Sequence, residues 1–358
     1  MTAQQNTTRS VAAVSAGALS TWPGVERTRR ARKALRSHGQ VWPVWLGLVV
    51  TVVGGFGGAL QSRLIGSAAQ TAGSGAAALI STAGGVILLL ALSPLVPSLR
   101  AAVVGIPRWF RSGRLPWWLA LVGVFGSLVG LSQGVSVAAL GVAVFTICGV
   151  AGSTVAALLI DRSRLSLARL PVTRLRLVAA LVAVAAVVLS VTGRGGGATA
   201  GLAVVALLVA LVGGAAAVTQ NAFLARMTAA VGFPQPGGMV AYVSSTIMLG
   251  FWIPVLAAVT SNPGLFGNPF QAVWWSWLCV PIGTILVMTI GPTARSLGLL
   301  TQSLAWTAGQ LSGGLLLDLA WPTQGGAVTP WSVAGCALTG VAVALAAVAG
   351  QRAARLPA

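Results

Sequence analysis

The sequence predicts an all-α membrane protein of ten transmembrane helices, built as two five-helix repeats of opposite orientation. Three observations predict this fold. The chain is 56% hydrophobic and only 7% charged, whereas soluble domains carry about 25% charged residues. It contains ten apolar runs close to the length of about 20 residues that a transmembrane helix needs. Two long stretches also match each other without a gap, which indicates an internal duplication.

The ten predicted spans follow a polar, basic leader, and most of the breaks between them carry Pro, Gly or Arg. The spans cover Val41–Leu60, Gly75–Leu95, Trp117–Val137, Ala138–Ile160, Leu175–Val191, Thr199–Gln220, Gly237–Val259, Trp274–Ile290, Ser296–Leu317 and Trp331–Gly350. The predicted domains are a disordered cytoplasmic tail (1–40), a first repeat (41–195), a second repeat (196–350) and a short cytoplasmic C-terminus (351–358).

The positive charges predict how the spans are oriented. The chain carries 22 Lys and Arg residues and a net charge of +19. With the N-terminus placed inside, 20 of these residues fall in inner segments, and only Arg63 and Arg194 fall in outer ones. Cytoplasmic segments are enriched in positive charge in this way, so both termini are predicted to be cytoplasmic. The arginines between the spans thus explain the basic charge without a nucleic-acid partner.

The internal duplication is clearest between Pro116–Asp161 and Val273–Asp318, which align without a gap at an offset of 157 residues. The identical pairs include Trp117/Trp274, Trp118/Trp275, Gly126/Gly283, Gly152/Gly309 and Asp161/Asp318. A weaker match sets Gln61–Leu64 opposite Asn221–Leu224. Because each repeat holds an odd number of spans, the second must enter the membrane from the opposite side. Inverted repeats of this kind are typical of secondary transporters.

Several short segments resemble the YdcZ-like branch of the drug/metabolite transporter superfamily. They are Gly58–Leu64, Ala76–Ser81, Trp117-Trp118, Ala151-Gly152 and Leu158–Asp161. Members of that branch are often single five-helix units, so this chain resembles two such units fused in tandem over about residues 41–350. The resemblance implies a ten-helix transporter fold and the movement of a solute across the inner membrane.

The two halves depart from the family pattern at different positions. The Asn usual in the first helix is Gln61 here, whereas Asn221 keeps it in the second half. The Gln that usually follows the Ala-Gly step is Ser153 here, whereas Gln310 keeps it. We therefore expect an asymmetric solute site that is biased toward the second half.

Residues for metal, cofactor or enzyme chemistry are few. The three cysteines fall in apolar runs without metal spacing, and the single His38 lies in the leader. No Asp, Glu, Lys or His lies in the middle of a predicted span, which argues against cation export through a membrane carboxylate and favours neutral or anionic solutes. The sequence therefore predicts no metal, no cofactor and no enzyme activity.

The ninth span carries the richest polar stripe. Gln302, Trp306 and Gln310 recur at i, i+4 and i+8 and therefore share one helical face. This face predicts a solute-binding wall with amide hydrogen bonds and an aromatic platform. The alternative is packing between helices, with the amides bonded to neighbours.

Further polar residues occur in both halves. Gln61 closes the first predicted span, and Gln220 and Asn221 close the sixth, where they are expected to contact the solute. Ordinary helix ends or bonds between helices are the alternative. Ser81, Ser244 and Ser245 are candidates to line the same cavity, or each bonds a carbonyl of its own helix.

Three charged residues lie at predicted span ends. Asp161 and Asp318 each follow the end of a helix, where the helix dipole disfavours an anion. We expect each to anchor the helix end through a local partner, with gating or ion coupling as the alternative. Arg63 is expected to snorkel to the lipid headgroups, with attraction of an anionic solute as the alternative.

These features together predict a secondary transporter, specifically an exporter that moves a small metabolite or drug-like solute across the cytoplasmic membrane by alternating access. The alternative is a flippase for a lipid or lipid-linked precursor. The expected partners are membrane lipids and the solute, and the expected state is a monomer or a homodimer.

Overall fold

A computed structural model describes residues 43–162, 174–192, 200–260, 267–297, 299–321 and 328–355. Within these ranges the chain is helical, without a strand. The predicted tail (1–40) lies outside the described residues, as does the end of the predicted C-terminus.

Eleven α-helices lie within the described ranges. They are α1 (Val44–Ala72), α2 (Ser74–Leu92), α3 (Pro97–Arg111), α4 (Val122–Leu140), α5 (Val142–Arg162), α6 (Arg174–Thr192), α7 (Ala200–Val231), α8 (Gln235–Thr260), α9 (Cys279–Leu297), α10 (Leu299–Ala320) and α11 (Pro330–Arg355). Every predicted span overlaps one of them, although several of the bounds differ. Among the described residues, six helices are long and apolar enough to cross a membrane, and three further apolar helices are shorter.

Two helices run well past their predicted ends. Helix α1 has 29 residues and ends at Ala72, and α7 has 32 residues and ends at Val231. The prediction that Gln61, Gln220 and Asn221 close helices is therefore wrong, because all three lie inside them. The helices continue because the residues beyond these amides pack in the protein interior, as the fully buried Ile65 and Met227 do.

Helix α3 was not predicted as a helix, because its arginines and Pro107 were interpreted as a loop. Pro97 occupies the first turn, where its missing N–H costs no helical hydrogen bond. The helix buries Leu99 and Ala102 against the bundle, and this amphipathic burial stabilises it.

The duplicated stretch also repeats in the backbone. Short 3-10 turns at Trp117–Leu121 and Trp274–Leu278 lead directly into α4 and α9. Helix α4 then ends at Gly141, whose φ of 80° lies in the left-handed region that favours glycine. The chain turns there into α5, so the boundary lies slightly after the predicted junction between Val137 and Ala138.

The helices pack in reciprocal pairs. Helix α1 packs on α10 and α9, whereas α7 packs on α5 and α4, and the last helices of the two halves, α6 and α11, pack on each other. Each first helix of one half thus lies against the third and fourth helices of the other half. The interface between the halves therefore contains each contact twice, once from each first helix, and the equivalent residues of the two contacts can be compared.

Candidate functional site

Glycines let α1 and α10 approach closely along the α1–α10 seam, which contains Val52, Gly55, Trp306 and Gly309. A Cβ on Gly55 would collide with the carbonyl oxygen of Trp306, and one on Gly309 would collide with that of Val52. Small residues of this kind let helix backbones approach closely. Since no larger side chain fits at either position, the two helices are held together along this seam.

Helices α5 and α7 approach in the same way along the α5–α7 seam, which contains Gly149, Gly152, Leu211 and Gly214. A Cβ on Gly214 would collide with the carbonyl oxygen of Gly149, and one on Gly152 would collide with that of Leu211. Gly214 lies 159 residues after Gly55, and Leu211 lies 159 residues after Val52. The packing therefore relates the first helices of the halves at an offset of 159.

Trp306 lies over the glycine face of α1. A Cβ on Gly54 would lie 3.0 Å from the Cζ3 of Trp306, and one on Gly58 would lie 3.2 Å from its Cζ2. The Cβ on Gly58 would also lie 3.5 Å from the Nε2 of Gln310. These contacts agree with the alternative that Trp306 and Gln310 pack between helices. Both side chains are half-buried, and their role in solute binding stays a prediction.

The first amide cluster contains Gln61 of α1 and Tyr242 of α8. A Cβ on Gly283 of α9 would collide with the Nε2 of Gln61 and would lie 3.2 Å from the Oη of Tyr242. The ring of Tyr242 packs on Gly85 of α2, whose Cβ position lies 2.7 Å from its Cε1. Both glycines thus leave space for the two polar side chains to converge from opposite halves.

The second amide cluster contains Gln220 of α7 and Ser245 of α8. A Cβ on Gly126 of α4 would collide with the Oγ of Ser245 and would lie 3.0 Å from the Nε2 of Gln220. Gly126 and Gly283 are an identical pair of the duplicated stretch. The two clusters are therefore equivalent in their arrangement, with one Gln from a first helix facing one Gly from a third helix.

This arrangement corrects the weaker match between the halves. Gln61 corresponds to Gln220, at the same offset of 159 as the seam residues, and not to Asn221. Adjacent residues on a helix differ by about 100° in direction, so Gln220 and Asn221 cannot face one cluster together. Asn221 is exposed on α7, outside the second amide cluster.

Helix α8 connects the two clusters. Tyr242 and Ser245 are three residues apart and therefore lie on one face of the helix. Within the described part of the chain, neither of their hydroxyl groups forms a hydrogen bond, nor do the amides of Gln61 and Gln220. Unpaired polar groups are costly in a membrane protein interior, so these four side chains are available to a polar ligand.

The predicted serines differ in their contacts, and Ser245 belongs to the second amide cluster. Ser244 donates a hydrogen bond to the carbonyl oxygen of Val240 at 2.6 Å, so its own helix satisfies it. Ser81 is buried on α2, beside Thr82. A contribution of Ser81 to a solute cavity stays a prediction.

Asp318 links the two seams. Its side chain is 3% exposed, and its carboxylate accepts hydrogen bonds from the backbone N–H groups of Val142 at 3.0 Å and Ala143 at 2.7 Å. The partners belong to the N-terminus of α5, where the helix dipole stabilises an anion. Asp318 thus anchors a helix end, although it is that of a distant helix and not a local partner.

Arg63 lies beside this link. It is 3% exposed, so the prediction that it snorkels to the headgroups is wrong. Its guanidinium donates to the carbonyl oxygen of Trp321 from Nε at 3.3 Å and to the Oγ of Ser67 at 2.7 Å. It also stacks on the Trp321 ring at 4.6 Å. Arg63 therefore supports the C-terminal end of α10 from α1.

Two predicted site residues cannot be placed in contacts. Gln302 lies on α10 and Asp161 lies in the last turn of α5, but both side chains lie outside the described residues. Among the residues that the structure describes, no group of His, Cys, Asp or Glu is arranged to hold a metal ion.

The comparisons with known proteins place the chain in a family. The profile of a family described as "Putative inner membrane exporter, YdcZ" matches residues 46–189 and 205–345. This chain belongs to the YdcZ family. No curated protein matches it.

The two matched segments coincide with the two predicted repeats, which confirms the tandem arrangement and the resemblance. As a YdcZ-family protein with several long apolar helices, the chain is a multi-pass inner-membrane protein of a transporter family. The family description adds export as the general activity of its members.

Tyr242 of this YdcZ-family chain is not among the predicted site residues, although the sequence contains a signal for it. It is the single tyrosine of the chain, and it lies inside the seventh predicted span. Tyrosines of membrane proteins are enriched at the interfaces with water. A tyrosine inside a predicted span is therefore a candidate for a polar role, as the amides are.

Proposed function

We propose that the protein exports a small, neutral, polar solute across the inner membrane by alternating access, with the solute bound between the two amide clusters. The observation that carries this proposal is the pair of equivalent amides, Gln61 and Gln220, which face Gly283 and Gly126 across the interface of the halves. Neither amide has a hydrogen-bond partner within the described residues.

The proposed topology is ten spans in two inverted five-helix repeats, with both termini cytoplasmic. The bias of the arginines supports the orientation, and the reciprocal packing of α1 on α10 and of α7 on α5 supports the inverted relation. Exchanging the conformations of such halves converts an inward-open state into an outward-open one. A reporter that is active only in the cytoplasm should be active at both termini.

The chemistry of the clusters supports a neutral solute. Each amide offers both a donor and an acceptor, and the hydroxyl groups of Tyr242 and Ser245 offer the same. None of these four side chains carries a charge that would bind an ion. The ring of Tyr242 adds an apolar surface on which a planar part of the solute can pack.

The experiment is solute flux in proteoliposomes that contain the purified full-length protein. Vesicles are loaded with a mixture of labelled neutral, anionic and cationic solutes, and the loss of each is followed over time. We expect loss of neutral polar solutes, and we expect Gln61→Ala and Gln220→Ala each to slow it. Asn221→Ala is the matched control, since this amide is exposed outside the clusters.

Two results would contradict the proposal. The first is efflux that is limited to charged solutes. The second is efflux that is unchanged in the Gln61→Ala and Gln220→Ala double variant. Transfer of a labelled lipid headgroup between leaflets, with no solute efflux, would instead favour the flippase.

A further inference from the structure

Helix α3 connects two membrane-spanning helices. Both α2 and the segment Trp117–Leu140 are long and apolar enough to cross a membrane, so a 15-residue helix between them lies near the membrane surface. Trp117 follows it and is 77% exposed, as is typical of tryptophans at the interface with water. Amphipathic helices at such positions lie in the plane of the membrane.

The arginines of α3 share one exposed face. At about 100° per residue, Arg100, Arg108 and Arg111 fall within an arc of about 80°. All three are exposed, and their guanidinium groups form no hydrogen bond or ion pair in the described part of the chain. The segment 93–116 contains no Asp or Glu, so nothing within it offsets this charge.

The opposite face of α3 is held by the protein. Leu99 forms a buried cluster with Leu89 of α2 and Met239 of α8, and Val103 and Ile106 pack against this cluster. These contacts fix the rotation of α3 about its axis. The arginine face is therefore directed away from the bundle.

We infer that the arginine face of α3, formed by Arg100, Arg108 and Arg111, binds the headgroups of anionic phospholipids. Three cations that have no partner among the described residues complement the negative charge of a phospholipid headgroup. Val104 lies on the same side and is 53% exposed, so it provides an apolar contact for the acyl chains. Arg114 is already engaged, since its Nε donates to the carbonyl oxygen of Ala230 at 3.1 Å.

Lipid binding to purified full-length protein in detergent tests this inference without any transport measurement. Phosphatidylglycerol and phosphatidylcholine are titrated separately, and bound lipid is counted by native mass spectrometry. We expect phosphatidylglycerol to bind more tightly. Replacing all three residues with Gln should weaken its binding by roughly a hundredfold, because each cation near a lipid surface contributes roughly a factor of five.

Two variants control for the total charge. Arg27→Gln, Arg29→Gln and Arg30→Gln together remove the same charge from the leader and should leave the preference for phosphatidylglycerol intact. Arg100→Lys, Arg108→Lys and Arg111→Lys together should keep most of this preference. If the triple Gln variant does not fold, Arg100→Gln and Arg108→Gln alone should each weaken binding by roughly fivefold.

Equal binding of the two lipids by the wild-type protein would overturn the inference, as would an unchanged preference in the Gln variants. Competition by soluble glycerol phosphate tests whether the arginine face binds lipid headgroups or free phosphate compounds. If it competes with phosphatidylglycerol at equal concentration, the face binds soluble phosphate compounds and the lipid assignment is wrong.

Discussion

The α1–α10 seam and the α5–α7 seam share their backbone contacts but differ in their side chains. In both seams a glycine on each helix faces a carbonyl oxygen of the other. Trp306 on α10, however, corresponds to Gly149 on α5, and Gln310 corresponds to Ser153, at the offset of 157. The two seams thus share the close approach of their helices, while Trp306 and Gln310 have no counterpart of similar size in the α5–α7 seam.

Substitution of Asp318, which links the two seams, should give the largest effect on stability. Asp318→Ala removes the carboxylate that accepts two hydrogen bonds from buried backbone N–H groups at the start of α5. Each hydrogen bond to a charged group contributes roughly 1.5–3 kcal/mol. We expect a strong loss of thermal stability in detergent, measured by the temperature at which half of the protein aggregates.

Asp318→Asn is the matched control, because it keeps the size and one oxygen acceptor. It should lose less stability than Asp318→Ala. Equal stability of all three proteins would mean that Asp318 does not hold the α5 end, and the two seams would then be independent.

The seam glycines should give the next largest effect. Gly309→Ala forces a Cβ against the carbonyl oxygen of Val52, and Gly152→Ala does the same against that of Leu211. Overpacking of this kind costs roughly 1–3 kcal/mol. We expect a similar fall in thermal stability for both variants, since the seams are equivalent in backbone.

Gly57→Ala is the control for substitution in a helix. Its Cβ would lie 3.3 Å from the end of the flexible Leu286 side chain, which can move. A large loss for Gly309→Ala together with none for Gly152→Ala would show that only one seam depends on close approach.

The repeat was predictable from the sequence because rare residues match at one offset. Tryptophan pairs and two of the three acidic residues lie 157 residues apart, and both halves match the family. The helix ends were less predictable. A polar residue such as Gln61 interrupts an apolar run, yet the helix continues because its next residues are buried against other helices.

The contacts of the site were not predictable, because they join distant parts of the chain. Asp318 bonds to residues 175 and 176 positions earlier, and no local pattern identifies such a partner. The glycines opposite Gln61 and Gln220 also look like ordinary helix glycines in the sequence. Only the packing of the halves shows that each faces an amide.

The two amides, Gln61 and Gln220, extend the comparison of the halves from packing to function. Gln61→Leu and Gln220→Leu remove equivalent groups with similar volume, and each should slow solute efflux about tenfold, or about 1.4 kcal/mol. Neither should lower thermal stability, because neither amide bonds to the protein within the described residues. Efflux rates and melting temperatures are measured on the same preparations.

The relative size of these two effects tests the asymmetry. A site biased toward the second half predicts a larger loss for Gln220→Leu, whereas a symmetric site predicts equal losses. Asn221→Leu, which is next to Gln220 but exposed, should leave efflux unchanged. A loss in Asn221→Leu alone would restore the correspondence of Asn221 with Gln61.

Tyr242→Phe should give the smallest effect, because it removes one hydroxyl group and keeps the ring on Gly85. Loss of one neutral hydrogen bond to the solute should slow efflux about threefold. Tyr242→Leu also removes the ring, so it should slow efflux further. The difference in efflux rate between Tyr242→Phe and Tyr242→Leu separates the contribution of the hydroxyl group from that of the ring. If Tyr242→Phe behaves as wild type while Tyr242→Leu does not, the ring of Tyr242 contributes to efflux and its hydroxyl group does not.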